Sequence, residues 1–324
     1  MKAIELEGEG DARRLVLREA PVPQPGSDEI LIDVHASAVN RADLMQARGL
    51  YPPPPGASPI LGLECAGVVA GAGDAGFRPG DRVMALLAGG GYAECVAAPA
   101  GSVMPIPERL SFEEAAGVPE VFLTCYLNLF QIAGVPSGGA ALVHGGGSGI
   151  GTAAIQLLRE AGVRSLVTAG SDAKCKRCLE LGADVAINYN DGDFAPRVLE
   201  ETQGKGVDVV LDSIGAPYLA AHLTCLKTGG RLVLIGLMGG ARTEIQLGLL
   251  LAKRLTIVGS TLRARPVQEK AAIVRGFGGR FGAALAEGRI GPVVDRVLPL
   301  ADADQAHAAV QRSDHFGKVI LKVR

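Results

Sequence analysis

The segment at 140–158, Ala-Ala-Leu-Val-His-Gly-Gly-Gly-Ser-Gly-Ile-Gly-Thr-Ala-Ala-Ile-Gln-Leu-Leu, constrains what this chain can fold into more than any other. An apolar run of strand length ends at His144, a turn of glycines and a serine follows, and apolar residues return at helical spacing at Ile150, Ala153, Ala154, Leu157 and Leu158. This reads as strand, tight turn, helix. Such a turn lets the backbone approach a bulky anion, and the helix behind it offers unpaired amide N–H groups and a partial positive charge to a pyrophosphate. A dinucleotide is the expected ligand. The spelling departs from G-x-G-x-x-G, because Gly147-x-Gly149 is followed by Thr152 at the last position. An ordinary strand-to-helix connection is the alternative, but it gives no reason for so many glycines, each costly in backbone entropy.

Around this segment, strand-like runs at 140–144, 166–169, 185–188, 207–212, 231–236 and 255–258 alternate with helical patterns. Continuous apolar strands separated by helices predict a parallel sheet covered on both faces, six strands in doubly wound order: a Rossmann domain. Before it, the pattern is short strands, loops and punctuation, with strands at 15–17 and 30–34, a short helix within 38–51 and a strand-like run at 60–70. A capping box, Ser111-Phe-Glu-Glu114, announces a helix, and an apolar-faced segment follows at 120–133. The 324 residues are therefore divided into 1–119, a first domain; 120–262, the Rossmann domain; and 263–324, a return to the first.

A net charge of −2 leaves no electrostatic footprint for nucleic acid or an anionic membrane, and 4% aromatics with no tryptophan argue against stacking on RNA. Small-molecule chemistry is favoured. The amino terminus carries acid where a signal peptide needs an apolar stretch, and no apolar run has spanning length, so a cytoplasmic protein is expected. Six scattered cysteines make a disulfide framework improbable; Cys175 and Cys178 form a lone C-x-x-C inside an apparent helix and read as packing or surface thiols. The five histidines, His35, His144, His222, His307 and His315, read as isolated, and no metal site is expected.

The tip of the second sheet strand chooses between coenzymes, since an acid there accepts from the ribose 2′-hydroxyl and repels a 2′-phosphate. Here it reads Thr168-Ala-Gly-Ser171, then Asp172 and Lys174, which favours NADPH. A solvated Lys174 with Asp172 as the ribose acceptor is the alternative. In the first domain Glu64 is the one acid in an apolar run and needs a partner. Tyr51 precedes four prolines that hold it in a stiff loop.

Several segments carry a family resemblance: Gly62-x-Glu64-x-x-Gly67-x-Val69, Gly80-Asp-Arg-Val83, His144-Gly-x-x-x-Gly-Ile-Gly151, Asn40-Arg-Ala-Asp-Leu-Met-Gln46, Tyr51-x-Pro-Pro-Pro-Gly56, Val167-Thr-Ala-Gly-Ser171 and Gly236-Leu-Met-Gly-Gly240. The chain resembles, from end to end, the zinc-free quinone oxidoreductases of the medium-chain dehydrogenase/reductase superfamily, in particular the p53-inducible quinone oxidoreductase subfamily. The resemblance implies an α/β protein with a GroES-like, mostly-β catalytic domain beside the Rossmann domain. It places Asn40 and Tyr51 beside the nicotinamide, as an amide donor and as a phenol donor or stacking wall; a helix N-cap and a loop residue are their plain alternatives. Gly149 and Gly151 pass under the pyrophosphate, with Ser148 and Thr152 as hydroxyl donors, and Ser171 and Lys174 hold the 2′-phosphate. Tyr189 lies near the adenosine, while Gly236, Met238, Gly239, Gly240, Ser260, Thr261, Leu262 and Lys318 close over the nicotinamide side.

Without a Lewis acid, hydride chemistry needs an acceptor that is already electrophilic. The expected function is NADPH-dependent reduction of quinones. An enoyl or alkenal reductase is the runner-up, and a non-catalytic coenzyme- or RNA-binding protein the reading from another class. The resemblance also implies a homodimer or homotetramer joined through Rossmann edge strands, with 231–236 and 255–260 as candidate edges.

Overall fold

The computed structural model describes residues 1–8, 13–72 and 76–324. The chain divides into two compact units, Met1–Leu123 with Leu262–Arg324, and Thr124–Thr261. Residues 120–123 and Leu262 thus belong to the first unit rather than to the sheet domain.

The first unit opens with β1 (Lys2–Glu7) and β2 (Arg14–Glu19), paired antiparallel. Then come β3 (Glu29–Ala38), α1 (Arg41–Ala47), β4 (Glu64–Ala72), β5 (Arg82–Leu86), β6 (Cys95–Pro99), β7 (Val103–Pro105), α2 (Phe112–Ala115) and α3 (Pro119–Cys125). Strand β3 alternates, with Ile30, Ile32, Val34 and Ala36 buried and Glu29, Leu31, Asp33 and His35 half-buried, and ends in buried Ser37 and Ala38. Its period of two turns one face toward Val69, Val83, Ala85 and Val96. The strand-like run at 60–70 starts pairing only at Glu64, because Gly62 takes φ +102° and a Cβ there would lie 2.6 Å from Gly91 Cα. The capping box closes reciprocally: Ser111 Oγ accepts from Glu114 N at 3.1 Å and Glu114 Oε2 accepts from Ser111 N at 2.9 Å.

The second unit continues α3 as a π-helical segment, Tyr126–Ile132, followed by β8 (Ala140–His144), α4 (Gly149–Glu160), β9 (Arg164–Ala169), α5 (Asp172–Leu181), β10 (Val185–Asn188), α6 (Phe194–Glu201), β11 (Val207–Asp212), α7 (Leu219–Cys225), β12 (Leu226–Leu234), α8 (Leu247–Ala252) and β13 (Thr256–Gly259). The six strands are parallel in the order β10-β9-β8-β11-β12-β13, the doubly wound topology in which ligands bind beyond the carboxyl ends at the β8/β11 switch point. The Rossmann expectation holds. The edge assignment needs one correction: 231–236 lies within β12 and its loop, and β12 is flanked by β11 and β13, so β13 rather than β12 is the edge.

The return segment supplies α9 (Val267–Ala286), β14 (Val294–Pro299), α10 (Ala303–Arg312) and β15 (Lys318–Lys322). Strand β15 pairs antiparallel with β3 and parallel with β14, which completes the first unit's seven-stranded sheet. Among the described residues no helix is long and apolar enough to cross a membrane.

Candidate active site

In the second unit the nucleotide-binding turn is set by contact distances. A Cβ on Gly151 would sit 2.3 Å from Gly145 O and 2.5 Å from Gly146 Cα, so only glycine lets the first turn of α4 press onto the loop. Gly146 is equally confined, with Cys178 Sγ and Val167 at 2.9 Å from its virtual Cβ. Gly146 was not singled out in the sequence; its need for a bare Cα comes from α5 and β9 packing behind it. Ser148 caps α4 by accepting from Gly151 N at 3.0 Å, and Thr152 Oγ1 donates to Gly149 O at 3.1 Å. Both hydroxyls therefore have intrahelical duties, while the helix start presents its backbone amides.

At the tip of β9, Ser171 caps α5 by accepting from Lys174 N at 3.3 Å. The carboxylate of Asp172 accepts from Asn188 Nδ2 at 2.9 Å, which ties it to the tip of β10. The Tyr189 phenol lies across Gly170, whose virtual Cβ would be 2.5 Å from its oxygen. On the opposite side of the switch point, Met238 N donates to Ser213 O at 3.0 Å and Gly239 N to Ile214 O at 2.7 Å. Gly240 bridges to Gly215, so the loop from Gly236 to Gly240 is zipped onto the loop after β11. Asp212 holds that second loop, accepting from Ile214 N at 2.7 Å and Gly215 N at 2.8 Å. Beyond β13, Ser260 N donates to Leu234 O at 2.9 Å, while Ser260 Oγ is buried without a partner. Thr261 ends this unit, and Leu262, buried, begins the return segment.

The histidines are not all isolated, which corrects the sequence reading. His144 Nε2 and His222 Nε2 lie 2.8 Å apart, and His144 Nδ1 is 2.9 Å from Thr168 Oγ1. Burial pushes both below the usual imidazole range, His222 to about 4. The two rings pack against Phe194 and Tyr218 as neutral members of the core.

The first unit contains a second constellation. Glu64 and Lys318 are buried, and Lys318 Nζ donates to Glu64 Oε1 at 2.8 Å, to Asn40 Oδ1 at 2.7 Å and to Val39 O at 3.2 Å. Asn40 Nδ2 donates to Glu64 Oε1 at 2.8 Å, and Glu120 N donates to Glu64 Oε2 at 2.8 Å. Glu64 thus has the partners a buried carboxylate requires, and both ends of the Asn40 amide are turned into this network. Asp43, three residues after Asn40, accepts from Asn40 N at 2.8 Å, Gly62 N at 3.1 Å and Tyr92 OH at 3.3 Å. Burial raises it to about 6, against the lowering effect of those backbone donors.

Tyr51 is half-buried, and its loop is held by a residue that sequence reasoning missed. Arg263 donates from Nε to Ala88 O at 2.8 Å, from Nη1 to Tyr51 O at 3.3 Å and from Nη2 to Gln46 Oε1 at 2.7 Å. Its guanidinium carbon stands 5.3 Å from the centre of the Tyr51 ring. No local pattern marks Arg263 in the sequence, since its partners lie far upstream on α1 and two loops.

Residues 149–275 match the family described as "Zinc-binding dehydrogenase" and residues 26–108 the "Alcohol dehydrogenase GroES-like domain". The chain is 32% identical to "Quinone oxidoreductase" of Rattus norvegicus over 99% of its length and 97% of that protein's. The crystal structure of Escherichia coli quinone oxidoreductase complexed with NADPH superposes with a TM-score of 0.88 at 30% identity, covering 100% of both chains. The chain is also 29% identical, over 99% of its length, to a segment that makes up 15% of a phenolphthiocerol/phthiocerol polyketide synthase of Mycobacterium tuberculosis.

The first family description implies zinc, and the donor sets do not fit it. Among the described residues one group of three His, Cys, Asp or Glu side chains lies within ligand range: His144, Asp212 and His222. Two imidazole nitrogens on a tetrahedral zinc stand about 3.3 Å apart, whereas these are at the 2.8 Å of a hydrogen bond. Both oxygens of Asp212 are already taken by backbone N–H groups. Around Glu64 the neighbours are an ammonium and an amide, neither of which accommodates a cation.

Proposed function

Because this chain belongs to the quinone oxidoreductase family of the medium-chain dehydrogenase/reductases, we propose that it reduces quinones with NADPH and without a metal. The observation that carries this reading is the turn from Gly145 to Gly151, where close packing at Gly146 and Gly151 excludes a side chain and leaves a helix start bare for a pyrophosphate. The Ser260 Oγ, in the loop that the resemblance sets on the nicotinamide side, adds a buried hydroxyl left without a partner.

When bound, the reduced coenzyme supplies a hydride. The chain's own residues do the rest. The α4 amides neutralise the pyrophosphate, Ser171 and Lys174 receive the 2′-phosphate, and Tyr189 covers the adenosine. Asp172 has one oxygen tied to Asn188 at the tip of β10. In the first unit Tyr51 donates to, or stacks on, the acceptor, with Arg263 fixing its loop. Asn40, with both amide ends engaged, orients the Glu64–Lys318 pair and acts as a positioning residue. Replacing Lys174 with alanine is expected to weaken NADPH about tenfold, the worth of one charge-assisted contact, and to leave NADH unchanged; calorimetric titration with both coenzymes measures the difference.

The similarity to a polyketide synthase segment favours one other reading, delivery of the hydride to an enoyl thioester. Steady-state assays over ortho-quinones, para-quinones, alkenals and enoyl-CoA esters separate the two, and turnover confined to the thioesters excludes quinone reduction.

We also assign a homodimer. None of the six residues of α8 is buried, and Leu247 and Leu251 are 65% and 79% exposed beside the open edge of β13. A bare strand edge flanked by apolar helix surface is covered most simply by its two-fold mate. Leu251→Arg is expected to shift the protein to monomer in light scattering; a wild-type protein that is already monomeric refutes the assignment.

A further inference from the structure

A row of buried polar side chains crosses the second unit at the carboxyl ends of its adjacent strands β9, β8 and β11. Thr168 stands near the end of β9, His144 ends β8, His222 lies in α7 and Asp212 ends β11. Thr168 Oγ1 is 2.9 Å from His144 Nδ1, His144 Nε2 is 2.8 Å from His222 Nε2, and His222 Nδ1 is 3.9 Å from Asp212 Oδ2. Among the described residues that last nitrogen is buried with no hydrogen-bond partner. Buried polar atoms are nearly always satisfied, and this one is left open beside a carboxylate.

The open nitrogen decides where the hydrogens lie. Two imidazole nitrogens at 2.8 Å share one hydrogen, since two would collide and none would set lone pair against lone pair. Each neutral ring carries a single N–H, so placing the shared one fixes the others. With it on His222 Nε2, His222 Nδ1 would turn a bare lone pair to the Asp212 carboxylate. With it on His144 Nε2, His222 Nδ1 carries hydrogen toward that carboxylate, and the Thr168 hydroxyl donates to His144 Nδ1. Asp212 is ionised at neutral pH, because burial raises it only to about 6 against the two backbone donors that lower it. Among the described residues no lysine or arginine pairs with it. In the interior an attractive arrangement therefore stands against a repulsive one that water does not screen.

Both ends of the row hold loops of the crevice. Thr168 O accepts from Gly146 N at 2.8 Å, inside the glycine turn. Asp212 accepts from Ile214 N and Gly215 N, and the carbonyls of Ser213 and Ile214 accept in turn from Met238 N and Gly239 N. Resting on the reading of this crevice as the coenzyme site, we propose that His144 and His222 are positioning residues: hydrogen bonds run from Thr168 to His144 to His222, and the His222 Nδ1–H offsets the buried charge of Asp212, which keeps the loops after β11 and β12 in the conformation that receives the coenzyme.

Heteronuclear NMR of the full-length protein, labelled with heavy nitrogen at histidine, reads the tautomers at neutral pH without coenzyme. His144 should carry its hydrogen at Nε2 and His222 at Nδ1. The reverse pattern overturns the proposal whatever the variants do. Calorimetric titration with NADPH reads the consequence. His222→Leu should bind about tenfold more weakly, the worth of one polar contact to a buried charge. His222→Asn, whose amide sets an N–H close to the place of Nδ1, should bind within about threefold of wild type. Its melting temperature should nevertheless fall with that of His222→Leu, because the His144 Nε2–H loses its acceptor in both. A role in folding alone would lower the two affinities together. Equal affinities in the two variants, or wild-type affinity in His222→Leu, overturn this proposal alone. No heat from the wild type with NADPH overturns the coenzyme reading, and this proposal with it.

Discussion

Replacing Lys318 with methionine is expected to cost about 3–5 kcal/mol of unfolding free energy, the usual penalty for stranding one member of a buried ion pair. Glu64 and Lys318 are 0% and 3% exposed at the side chain. Without the ammonium, Glu64 keeps only the Asn40 amide and the Glu120 N–H, and the Asn40 oxygen loses its donor. The pair joins β4 to β15 across most of the chain, so its loss loosens the closure of the first unit by its return segment. Urea denaturation measures the change. Adding Glu64→Gln to Lys318→Met should restore much of the loss, because the uncompensated charge goes with it. A single-variant effect below about 1 kcal/mol, as for an exposed pair, means that the interior does not depend on this contact.

Gly151→Ala should weaken NADPH by about 10²-fold, equivalent to about 2.8 kcal/mol. The added methyl falls 2.3 Å from a carbonyl oxygen and 2.5 Å from Gly146 Cα, both backbone atoms with no rotamer by which to retreat. Helix α4 must then shift away from the loop and carry its amides out of line with the pyrophosphate. Calorimetric titration reads the affinity. Unaltered binding would remove the turn from the coenzyme site.

The parallel sheet was legible because its strands are continuous apolar runs between amphipathic helices, a pattern that few other architectures produce. Of the two candidate edges, 255–260 holds the edge strand β13, while 231–236 lies in β12 between β11 and β13, a neighbour order that apolar patterning does not carry. Glu64 announced that it needed a partner, as a lone acid in an apolar run does. Its partner Lys318 stands 254 positions downstream, and the resemblance had set that lysine on the nicotinamide side instead. The His144–His222 contact and the hold of Arg263 on the Tyr51 loop had no local signal. Each joins residues far apart in sequence through packing that only the folded chain creates.

The most direct measurement is a single turnover. Chelator-treated protein, loaded with one equivalent of NADPH, is mixed with an ortho-quinone in a stopped-flow cell while the coenzyme's absorbance is followed, with hydrogen or deuterium at nicotinamide C4. The expected result is a full decay that deuterium slows, leaving hydroquinone. Coenzyme that stays reduced before quinones, or a decay that requires added zinc, contradicts metal-free hydride transfer to a quinone.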